Sequence, residues 1–295
     1  MDYLVTGGAG YIGGHFVDTV AKKSDVAVID DFSTGHYVCK YSRIIKADLR
    51  NMVPKIGNVR VLMHFAANPD VKGSMHDIKS HYERDVTATL NALELARKSD
   101  AETIVFASSS TVYGYAKKVP TPEESPFAPV SGYGLFKAMG ENLVSYYSMS
   151  YGIRSISLRF ANIIGGRTGH GIIYNYAKWI KEGKPLEVWG DGNQKKSYVY
   201  VHDLIDAIHI SIKEAGKGYS VFNVGNKDQT RVNEIIEIFE DVAGKRFRIK
   251  RKDSQEGDVR NFLLDSTKLR KLGWKPKYNS SEAVRQAVIE ILKDA

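Results

Sequence analysis

Cysteine and long uninterrupted apolar segments are both scarce in this chain of 295 residues. Cys39 is the only cysteine, so an intrachain disulfide is excluded and a reducing compartment is favoured. No apolar run is long enough to cross a bilayer. The chain opens on a strand-like segment at Tyr3, without the basic and apolar regions of a signal peptide. These absences predict a cytoplasmic protein that does not enter a membrane.

Metal-ligand spacings and long basic tracts are also missing. The eight histidines show no spacing typical of a metal site, and we expect no bound metal. The net charge of +8 is compatible with a nucleic acid, an acidic membrane surface or an anionic small substrate. Short basic clusters occur at Lys195–Lys196 and between Arg246 and Lys252, but there is no long basic tract. Because the other charges are scattered, an anionic small molecule is favoured over a nucleic acid.

Strand-like and helical patterns alternate through the first half of the chain. Several runs are apolar throughout, as strands buried on both faces are. This alternation predicts an α/β fold with a Rossmann-type, doubly wound parallel sheet. The predicted strands are residues 3–6, 26–29, 59–65, 103–107 and 153–158. The longest predicted helices are residues 82–98 and 133–150.

Helical patterns separated by short strands and loops fill the second half, which predicts a smaller C-terminal α/β lobe. We place the boundary near residue 160, with a cofactor-binding domain over residues 1–160 and a substrate-binding lobe over 161–295. Residues 197–207 are expected to return to the first lobe. The predicted helices of this half are residues 172–181, 203–215, 232–243 and 281–292.

A glycine-rich segment follows the first predicted strand. Gly7, Gly10 and Gly13 are three residues apart, a spacing that permits a tight turn, close approach of a pyrophosphate and a helix N-terminus directed at the phosphates. The second strand ends at Asp30, roughly 20 residues further on, where a carboxylate can accept hydrogen bonds from ribose hydroxyls. That carboxylate would repel a 2′-phosphate, so the pattern predicts NAD rather than NADP. Asp48, after a further short strand, is expected at the adenine edge.

A hydroxyl cluster and a tyrosine–lysine pair form the second chemical feature. Ser108, Ser109 and Ser110 close a predicted strand, and ligands bind at strand carboxyl ends in such sheets. Tyr133 and Lys137 are four residues apart and share a helix face. A free phenol has a pKa of about 10, which a nearby ammonium and an oxidised nicotinamide would both lower. The pair therefore predicts a redox site in which Tyr133 takes a proton from an alcohol while the cofactor takes a hydride.

Together these segments resemble the extended short-chain dehydrogenase/reductase family, and more narrowly the UDP-glucose 4-epimerases. The resemblance covers nearly the whole chain. Besides the glycine, serine and tyrosine–lysine motifs, it includes Ala47-Asp48-Leu49, His64-Phe65-Ala66-Ala67 and residues 158–162, 190–201, 265–268 and 272–276.

The resemblance implies NAD as cofactor, a UDP-sugar as substrate, and Ser109, Tyr133 and Lys137 as catalytic residues. The implied cofactor-binding residues are Gly7, Gly10, Tyr11, Ile12, Gly13, Asp30, Asp31, Phe32, Ser33, Thr34, Gly35, Asp48, Leu49, Phe65, Ala66, Ala67, Tyr133 and Lys137. The implied substrate-binding residues are Ser109, Ser110, Thr111, Tyr133, Asn162, Lys196, Arg260 and Phe262. The helices 82–98 and 133–150 pair across a dimer interface in the relatives, which implies a homodimer.

Several positions depart from the family's pattern. Lys196 stands where relatives usually have arginine, and this keeps the charge but loses the bidentate fork. The loop at residues 255–258 lacks an arginine that many relatives carry at its first position, and Arg260 is expected to compensate. Asp85 replaces an asparagine common near the cofactor. Phe262 stands where a bulky residue favours glucose and galactose over their N-acetylated forms.

The residues after the catalytic hydroxyl separate related reactions. Sugar 4,6-dehydratases carry an Asp-Glu pair there, and related decarboxylases carry a glutamate, whereas this chain has Ser110 and Thr111. We therefore expect a 4-epimerase that works through a 4-keto sugar, rather than an eliminating enzyme. Two alternatives remain open: an NAD-dependent dehydrogenase of another alcohol, and a non-catalytic protein that binds nucleotides or RNA.

Overall fold

The computed structural model describes residues 1–253 and 261–293. The chain divides into two compact units. The first comprises Met1–Tyr115, Glu123–Phe160 and Ile208–Asn223, and the second comprises Ala116–Pro122, Ala161–Ala207 and Val224–Ala295. Residues 197–207 thus stay in the second unit, and the return to the first is made by the segment that follows them. Across the described part of the chain, no helix has the length and apolar character needed to span a membrane.

The elements alternate as the sequence pattern predicts. The strands are β1 (Tyr3–Thr6), β2 (Val26–Asp30), β3 (Arg43–Lys46), β4 (Val61–His64), β5 (Thr103–Ser109), β6 (Arg154–Phe160), β7 (Asn162–Ile164), β8 (Leu186–Trp189), β9 (Lys195–Lys196), β10 (Tyr198–Tyr200), β11 (Tyr219–Val224), β12 (Thr230–Arg231), β13 (Ile249–Lys252) and β14 (Asn261–Phe262). The helices are α1 (Tyr11–Val20), α2 (Ile78–Tyr82), α3 (Ala88–Lys98), α4 (Gly132–Tyr151), α5 (Gly171–Lys181), α6 (Val201–Glu214), α7 (Val232–Ala243), α8 (Thr267–Lys271) and α9 (Ser280–Lys293).

One seven-stranded sheet forms the centre of the first unit, in the order β11-β6-β5-β4-β1-β2-β3. The pairings from β3 across to β6 are parallel. β1, β2 and β4 are buried at every position, as strands covered on both faces are. The strand order reverses between β1 and β4, and ligands bind at the carboxyl ends beside such a reversal. The predicted doubly wound parallel sheet is therefore confirmed.

The segment predicted as one helix over residues 82–98 is not continuous. It consists of α2, a π-helical turn at Glu83–Thr87, and α3. A π-helical turn widens the helix locally and is frequent at functional sites. Asp85 lies in this turn and is buried.

Helix α4 packs closely on β5 and β6. A Cβ atom at Gly140 would lie 2.5 Å from the Phe106 ring, so only glycine permits this approach. One residue further along α4, Glu141 accepts two hydrogen bonds from the Nε and Nη2 groups of Arg159, at 2.9 and 2.7 Å. Arg159 Nη1 also donates to the Tyr113 hydroxyl at 2.6 Å. All of these groups are buried, so the ion pair fixes α4 against the sheet.

The second unit contains smaller sheets. β10 pairs with β7 and β13 with β8, both parallel, and β9 lies between β12 and β14. Trp274 is fully buried and donates its indole N–H to the Asp203 carbonyl at 2.9 Å. The Asp203 carboxylate accepts the backbone N–H groups of Lys277 and Tyr278. These contacts tie the segment before α9 to the start of α6.

We expect Arg159→Met to lower the free energy of unfolding by about 3–5 kcal/mol, because Glu141 would remain buried without its cation. Urea denaturation followed by circular dichroism measures the change. Arg97→Met is the control, because Arg97 forms a partly exposed pair with Glu94, and its loss should change the midpoint little. Equal midpoints for the wild type and Arg159→Met would show that the buried pair does not stabilise the fold.

Candidate active site

The turn between β1 and α1 is built from tightly packed backbone. A Cβ atom on Gly7 would lie 2.5 Å from the Ala66 nitrogen, and one on Gly13 would lie 2.2 Å from the Gly7 carbonyl oxygen. Gly7 also has a φ of 71°, a conformation that favours glycine. These two positions therefore need glycine for the fold itself, and they bring the ends of β1 and β4 together.

Gly10 differs from its two neighbours in the motif. A Cβ atom there would meet only the Gly7 carbonyl oxygen, at 3.2 Å. Gly10 is the N-cap residue of α1 and provides no side-chain cap, and the first turn of the helix holds no acidic residue. The N-terminus of α1, which includes the predicted cofactor contacts Tyr11 and Ile12, is thus suited to an anionic group.

Asp30, at the end of β2, holds the glycine turn in place. One carboxylate oxygen accepts the N–H of Ala9 and the other accepts the N–H of Phe32, both at 2.9 Å. Burial is the main cause that raises the pKa of Asp30, and these two hydrogen bonds oppose it. The carboxylate therefore lies beside the turn, where it can also accept hydrogen bonds from ribose hydroxyls.

The residues after Asp30 fold back over the same turn. Asp31 accepts hydrogen bonds from the N–H and hydroxyl groups of Ser33. A Cβ atom on Gly35 would lie 2.3 Å from the Ala9 carbonyl oxygen. The segment from Phe32 through Thr34 to Gly35 thus follows the surface of the turn, which is consistent with the predicted cofactor contacts.

Asp48 and Leu49 have partners of their own. The Asp48 carboxylate accepts two hydrogen bonds from Arg50, at 2.9 and 2.7 Å, and one from Asn51. The Arg50 hydrogen bond is the main cause that lowers the pKa of Asp48. The Leu49 side chain packs in the core, and its carbonyl accepts a hydrogen bond from Asn91. The Leu49 side chain is therefore a core element, and its backbone N–H is the group that can face a ligand.

The end of β4 lies against the glycine turn. The Phe65 N–H donates to the Thr6 carbonyl at 3.0 Å, and the Phe65 ring packs on Phe16. Phe65, Ala66 and Ala67 are half-buried. His64, just before them, is hydrogen bonded to Thr6 and Thr89, and burial lowers its pKa to about 3. His64 is therefore a neutral core residue.

The hydroxyl cluster at the end of β5 continues into a 3₁₀ turn over Ser110–Tyr113. The Ser109 hydroxyl oxygen accepts hydrogen bonds from the N–H and hydroxyl groups of Thr111, at 3.2 and 3.0 Å. With its acceptor sites used in this way, the Ser109 hydroxyl is left to donate its own hydrogen. The Ser109 hydroxyl lowers the pKa of Tyr133 by hydrogen bonding that favours the phenolate. Ser110 and Thr111 are half-buried beside it.

Tyr133 and Lys137 occupy the first turns of α4. Ser131 caps the helix by accepting the Gly134 N–H at 3.1 Å. The Lys137 ammonium donates to the Ala107 carbonyl at 2.7 Å and lies 5.6 Å from the centre of the Tyr133 ring. The predicted trio of Ser109, Tyr133 and Lys137 is thus brought together at the carboxyl end of β5.

Burial disfavours the charged forms of both Tyr133 and Lys137. It is the main cause that raises the pKa of Tyr133, and the negative charge of Asp85 adds to the rise. Burial also lowers the pKa of Lys137 to about 8, whereas Asp85 and Glu141 raise it. The pair therefore needs a further positive charge nearby, such as an oxidised nicotinamide, to form phenolate near neutral pH.

Three predicted substrate-binding residues lie together in the second unit. Lys196 and Phe262 are register partners in the parallel pair of β9 and β14. Asn162 donates its side-chain N–H to the carbonyl of Ser197, next to Lys196. These three residues thus lie close to one another within the second unit. Arg260, the fourth predicted substrate-binding residue outside the first unit, lies outside the described residues.

Two buried ionisable residues near the pair were not assigned from the sequence. His81 and Asp85 face each other with Nδ1 and Oδ2 3.4 Å apart. Two sequence signals point to them: their spacing of four residues, which is also common on exposed helices, and the departure of Asp85 from the family's usual asparagine. Only the packing of α2 and the π-helical turn shows that both side chains are buried.

Similarity to known proteins extends over the whole chain. Residues 3–225 match the model of the NAD dependent epimerase/dehydratase family. A putative UDP-glucose 4-epimerase of Methanocaldococcus jannaschii is 35% identical in an alignment of 298 positions. The alignment covers 97% of this chain and 96% of that protein. The UDP-glucose 4-epimerase of Lactobacillus helveticus is 32% identical, over 96% of this chain and 94% of that protein.

Solved structures agree with this family. A crystal structure of a UDP-galactose 4-epimerase has a TM-score of 0.89 and 38% identity, and the match covers 100% of this chain and 99% of that one. A Thermus thermophilus UDP-glucose 4-epimerase in complex with NAD has a TM-score of 0.88 and 31% identity over 99% of both chains. A Methanobrevibacter ruminantium UDP-N-acetylglucosamine 4-epimerase, in complex with UDP-N-acetylmuramic acid, has a TM-score of 0.90 and 27% identity, over 100% and 99%. This chain belongs to the NAD-dependent epimerase/dehydratase family of enzymes, and its cofactor is NAD.

Proposed function

We propose that this enzyme is a nucleotide-sugar 4-epimerase that interconverts UDP-glucose and UDP-galactose. The observation that carries the proposal is the placement of Tyr133 beside the Lys137 ammonium at the carboxyl end of β5, the strand that ends at Ser109. Relatives named UDP-glucose 4-epimerase that are similar over nearly their whole length support it.

The first unit provides the groups that would hold NAD. The N-terminus of α1 offers N–H groups to the pyrophosphate, and Asp30 offers carboxylate oxygens to the adenosine ribose. The ammonium of Lys137 can donate to the second ribose as well as to the Ala107 carbonyl. When bound, NAD supplies the acceptor for the hydride that leaves the sugar carbon and the donor that returns it.

Tyr133 would remove the proton of the sugar 4-hydroxyl, directly or through Ser109. The Lys137 ammonium stabilises the phenolate by its charge, and the Ser109 hydroxyl stabilises it by a hydrogen bond. When the 4-keto sugar is reduced on its opposite face, the same phenol returns the proton. Tyr133 thus ends each turnover in its starting state.

The side chains after Ser109 favour epimerisation over elimination. Ser110 and Thr111 carry hydroxyls that can hydrogen bond to a sugar, but a hydroxyl cannot act as a carboxylate acid–base pair near neutral pH. Loss of water from the sugar would need such an acid and base. The 4-keto sugar would therefore be reduced again rather than dehydrated.

The second unit would bind the nucleotide diphosphate and limit the sugar. Lys196 provides a positive charge and Asn162 provides an amide group. We assign the binding of the diphosphate to these two residues together with Arg260. Phe262 lies beside Lys196 in register, and its ring would leave little space for an N-acetyl group at the sugar 2-position.

We also propose a homodimer formed by α3 and α4. Leu135, Tyr146 and Met149 lie on one face of α4 and are 46%, 54% and 75% exposed, although they are large apolar side chains. Leu90 on α3 is 40% exposed. A second copy of the same chain offers the same apolar stripe, and an isologous contact would cover both.

We expect Gly10→Ala to weaken NAD binding by about tenfold or more, equivalent to at least ~1.4 kcal/mol, with little change in stability. The new methyl group requires the Gly7 carbonyl oxygen to move by only a few tenths of an ångström, but it occupies the place where the pyrophosphate approaches the backbone. Isothermal titration calorimetry with NAD and thermal unfolding measure the two effects. Gly57→Ala is the control, because a Cβ atom there meets no atom within 4 Å. Unchanged NAD affinity would show that the N-terminus of α1 is not part of the cofactor site.

Incubated with NAD, the enzyme should convert UDP-glucose to UDP-galactose and back without net formation of NADH. Chromatography of the sugars and NADH absorbance distinguish the outcomes over a panel of UDP-, dTDP- and GDP-sugars. We expect UDP-N-acetylglucosamine to react more slowly than UDP-glucose because of Phe262. Net NADH would instead indicate a dehydrogenase, and a dehydrated sugar would indicate elimination.

In the same assay, Tyr133→Phe should keep NAD bound and reduce turnover by about 10²–10⁴-fold. Tyr115→Phe is a matched control, because Tyr115 is an exposed tyrosine outside the proposed site. Near-wild-type turnover of Tyr133→Phe would contradict its assignment as the base.

Sedimentation of the wild type should show a dimer. The double substitution Tyr146→Glu with Met149→Glu should convert the dimer to monomers, because the carboxylates of the two copies would face each other within the apolar stripe. Ile249→Glu serves as the control, because Ile249 is 45% exposed and lies on β13 in the second unit. A monomeric wild type, or a dimer that survives the double substitution, would exclude this interface.

A further inference from the structure

Asp85 and His81 form a buried ionisable pair to which the proposed reaction gives no role. Asp85 is 4% exposed and His81 is 3% exposed. Asp85 Oδ2 and His81 Nδ1 are 3.4 Å apart, and neither atom has a hydrogen-bond partner of good geometry among the described residues. A buried carboxylate is costly unless nearby groups favour its charge, so this arrangement requires an explanation.

Both side chains are held in place by the loop after β4. The Asn68 N–H donates to Asp85 Oδ1 at 2.7 Å. The Asn68 side chain lies 3.1 Å from His81 Nε2. The Asn68 amide nitrogen can only donate, so Nε2 of His81 accepts, and a neutral imidazole then carries its proton on Nδ1, the atom 3.4 Å from Asp85 Oδ2. The π-helical turn at Glu83–Thr87 is what places Asp85 at this position.

Contacts on both sides of Asp85 fix the π-helical turn, one of them to α4 next to Lys137. Tyr82, three residues before Asp85, packs edge to face against Phe136, which precedes Lys137. Thr89 donates to the Asp85 carbonyl and is hydrogen bonded to His64, which in turn contacts Thr6 at the end of β1. The turn that carries Asp85 is thereby fixed both to α4 and to the strand before the glycine turn.

We propose that Asp85, held by His81 and by the Asn68 N–H, is a positioning residue that acts as the internal counterion of Lys137. It would keep the buried lysine as an ammonium and set the pH range in which Tyr133 and Lys137 work together. This role rests on the proposed function of that pair.

The electrostatic directions agree with this role. Burial raises the pKa of Asp85, and the Lys137 charge is the largest effect that lowers it. Asp85 in turn raises the pKa of Lys137 more than Glu141 does, and it raises the pKa of Tyr133. The effect is mutual, so the two charges stabilise each other within the protein.

The charged and titratable groups around Lys137 come from every neighbouring element. They are His81 on α2, Asp85 in the π-helical turn, Tyr133 and Glu141 on α4, and His64 at the end of β4. Glu141 is engaged by two hydrogen bonds from Arg159, and His64 is a neutral core residue. Asp85 is therefore the carboxylate that is left to balance Lys137.

Asp85→Asn tests the proposal directly, because asparagine can still accept the Asn68 N–H but carries no charge. Lysine labelled with ¹³C at Cε reports the titration of Lys137, whose signal is assigned by its loss in Lys137→Arg. We expect the midpoint of Lys137 to fall by about one pH unit or more in Asp85→Asn. Glu83→Gln, which removes a carboxylate from the same turn, should leave the midpoint unchanged.

His81→Ala provides a second variant that moves in the same direction. Without the His81 imidazole, which lowers the pKa of Asp85, Asp85 would take up a proton at higher pH and lose its charge, so the Lys137 midpoint should again fall. An unchanged midpoint in both variants, with the fold intact by circular dichroism, would overturn the proposal. The titration requires no sugar, so it distinguishes failure of this role from failure of the proposed epimerase activity.

The pH profile of kcat/KM distinguishes an electrostatic role of Asp85 from a merely structural one. Loss of the Asp85 charge lowers the pKa of Tyr133, which moves the acid limb to lower pH. It also lowers the pKa of Lys137, so the ammonium is lost sooner and the alkaline limb moves the same way. We expect the whole profile of Asp85→Asn to shift to lower pH. A uniform loss of rate with fixed limbs would instead indicate a structural role only.

Discussion

The buried ammonium of Lys137 is the interaction on which the active site depends. It donates to the Ala107 carbonyl at the end of β5 and lies beside the Tyr133 ring. Burial alone would drive this lysine towards its neutral form, so the surrounding protein must supply negative charge and oriented dipoles. The carboxylates of Asp85 and Glu141 and the carbonyl of Ala107 meet this need from three different elements.

Helix α4 carries most of this arrangement. Tyr133, Lys137 and Glu141 follow one another at intervals of four residues and so lie on one stripe of the helix. Glu141 is anchored to the sheet by Arg159, and Gly140 permits the close contact with Phe106. The structural ion pair and the reactive pair thus share one rigid element, and displacing the first would also displace the second.

The sequence predicted the local features of the site well, because each depends on neighbouring residues. Gly7 and Gly13 are needed by the turn they form, and Asp30 ends β2, the strand beside that turn. Less was predictable where distant contacts decide. The Leu49 side chain lies in the core, and the helix expected over residues 82–98 contains a π-helical turn. Neither outcome follows from periodicity, because each depends on packing against residues far away in the sequence.

By itself, the sequence determined the α/β alternation, the glycine turn, the acidic end of β2 and the Tyr133–Lys137 spacing, because strand burial, backbone sterics and helical periodicity act over short stretches of chain. The tertiary structure alone decided which charges face Lys137. Asp85 is distant from Lys137 in the sequence, and its side chain could equally have faced solvent. Packing of the π-helical turn against α4 buries it, and burial is what converts an ordinary acidic residue into a charge that acts on the reactive pair.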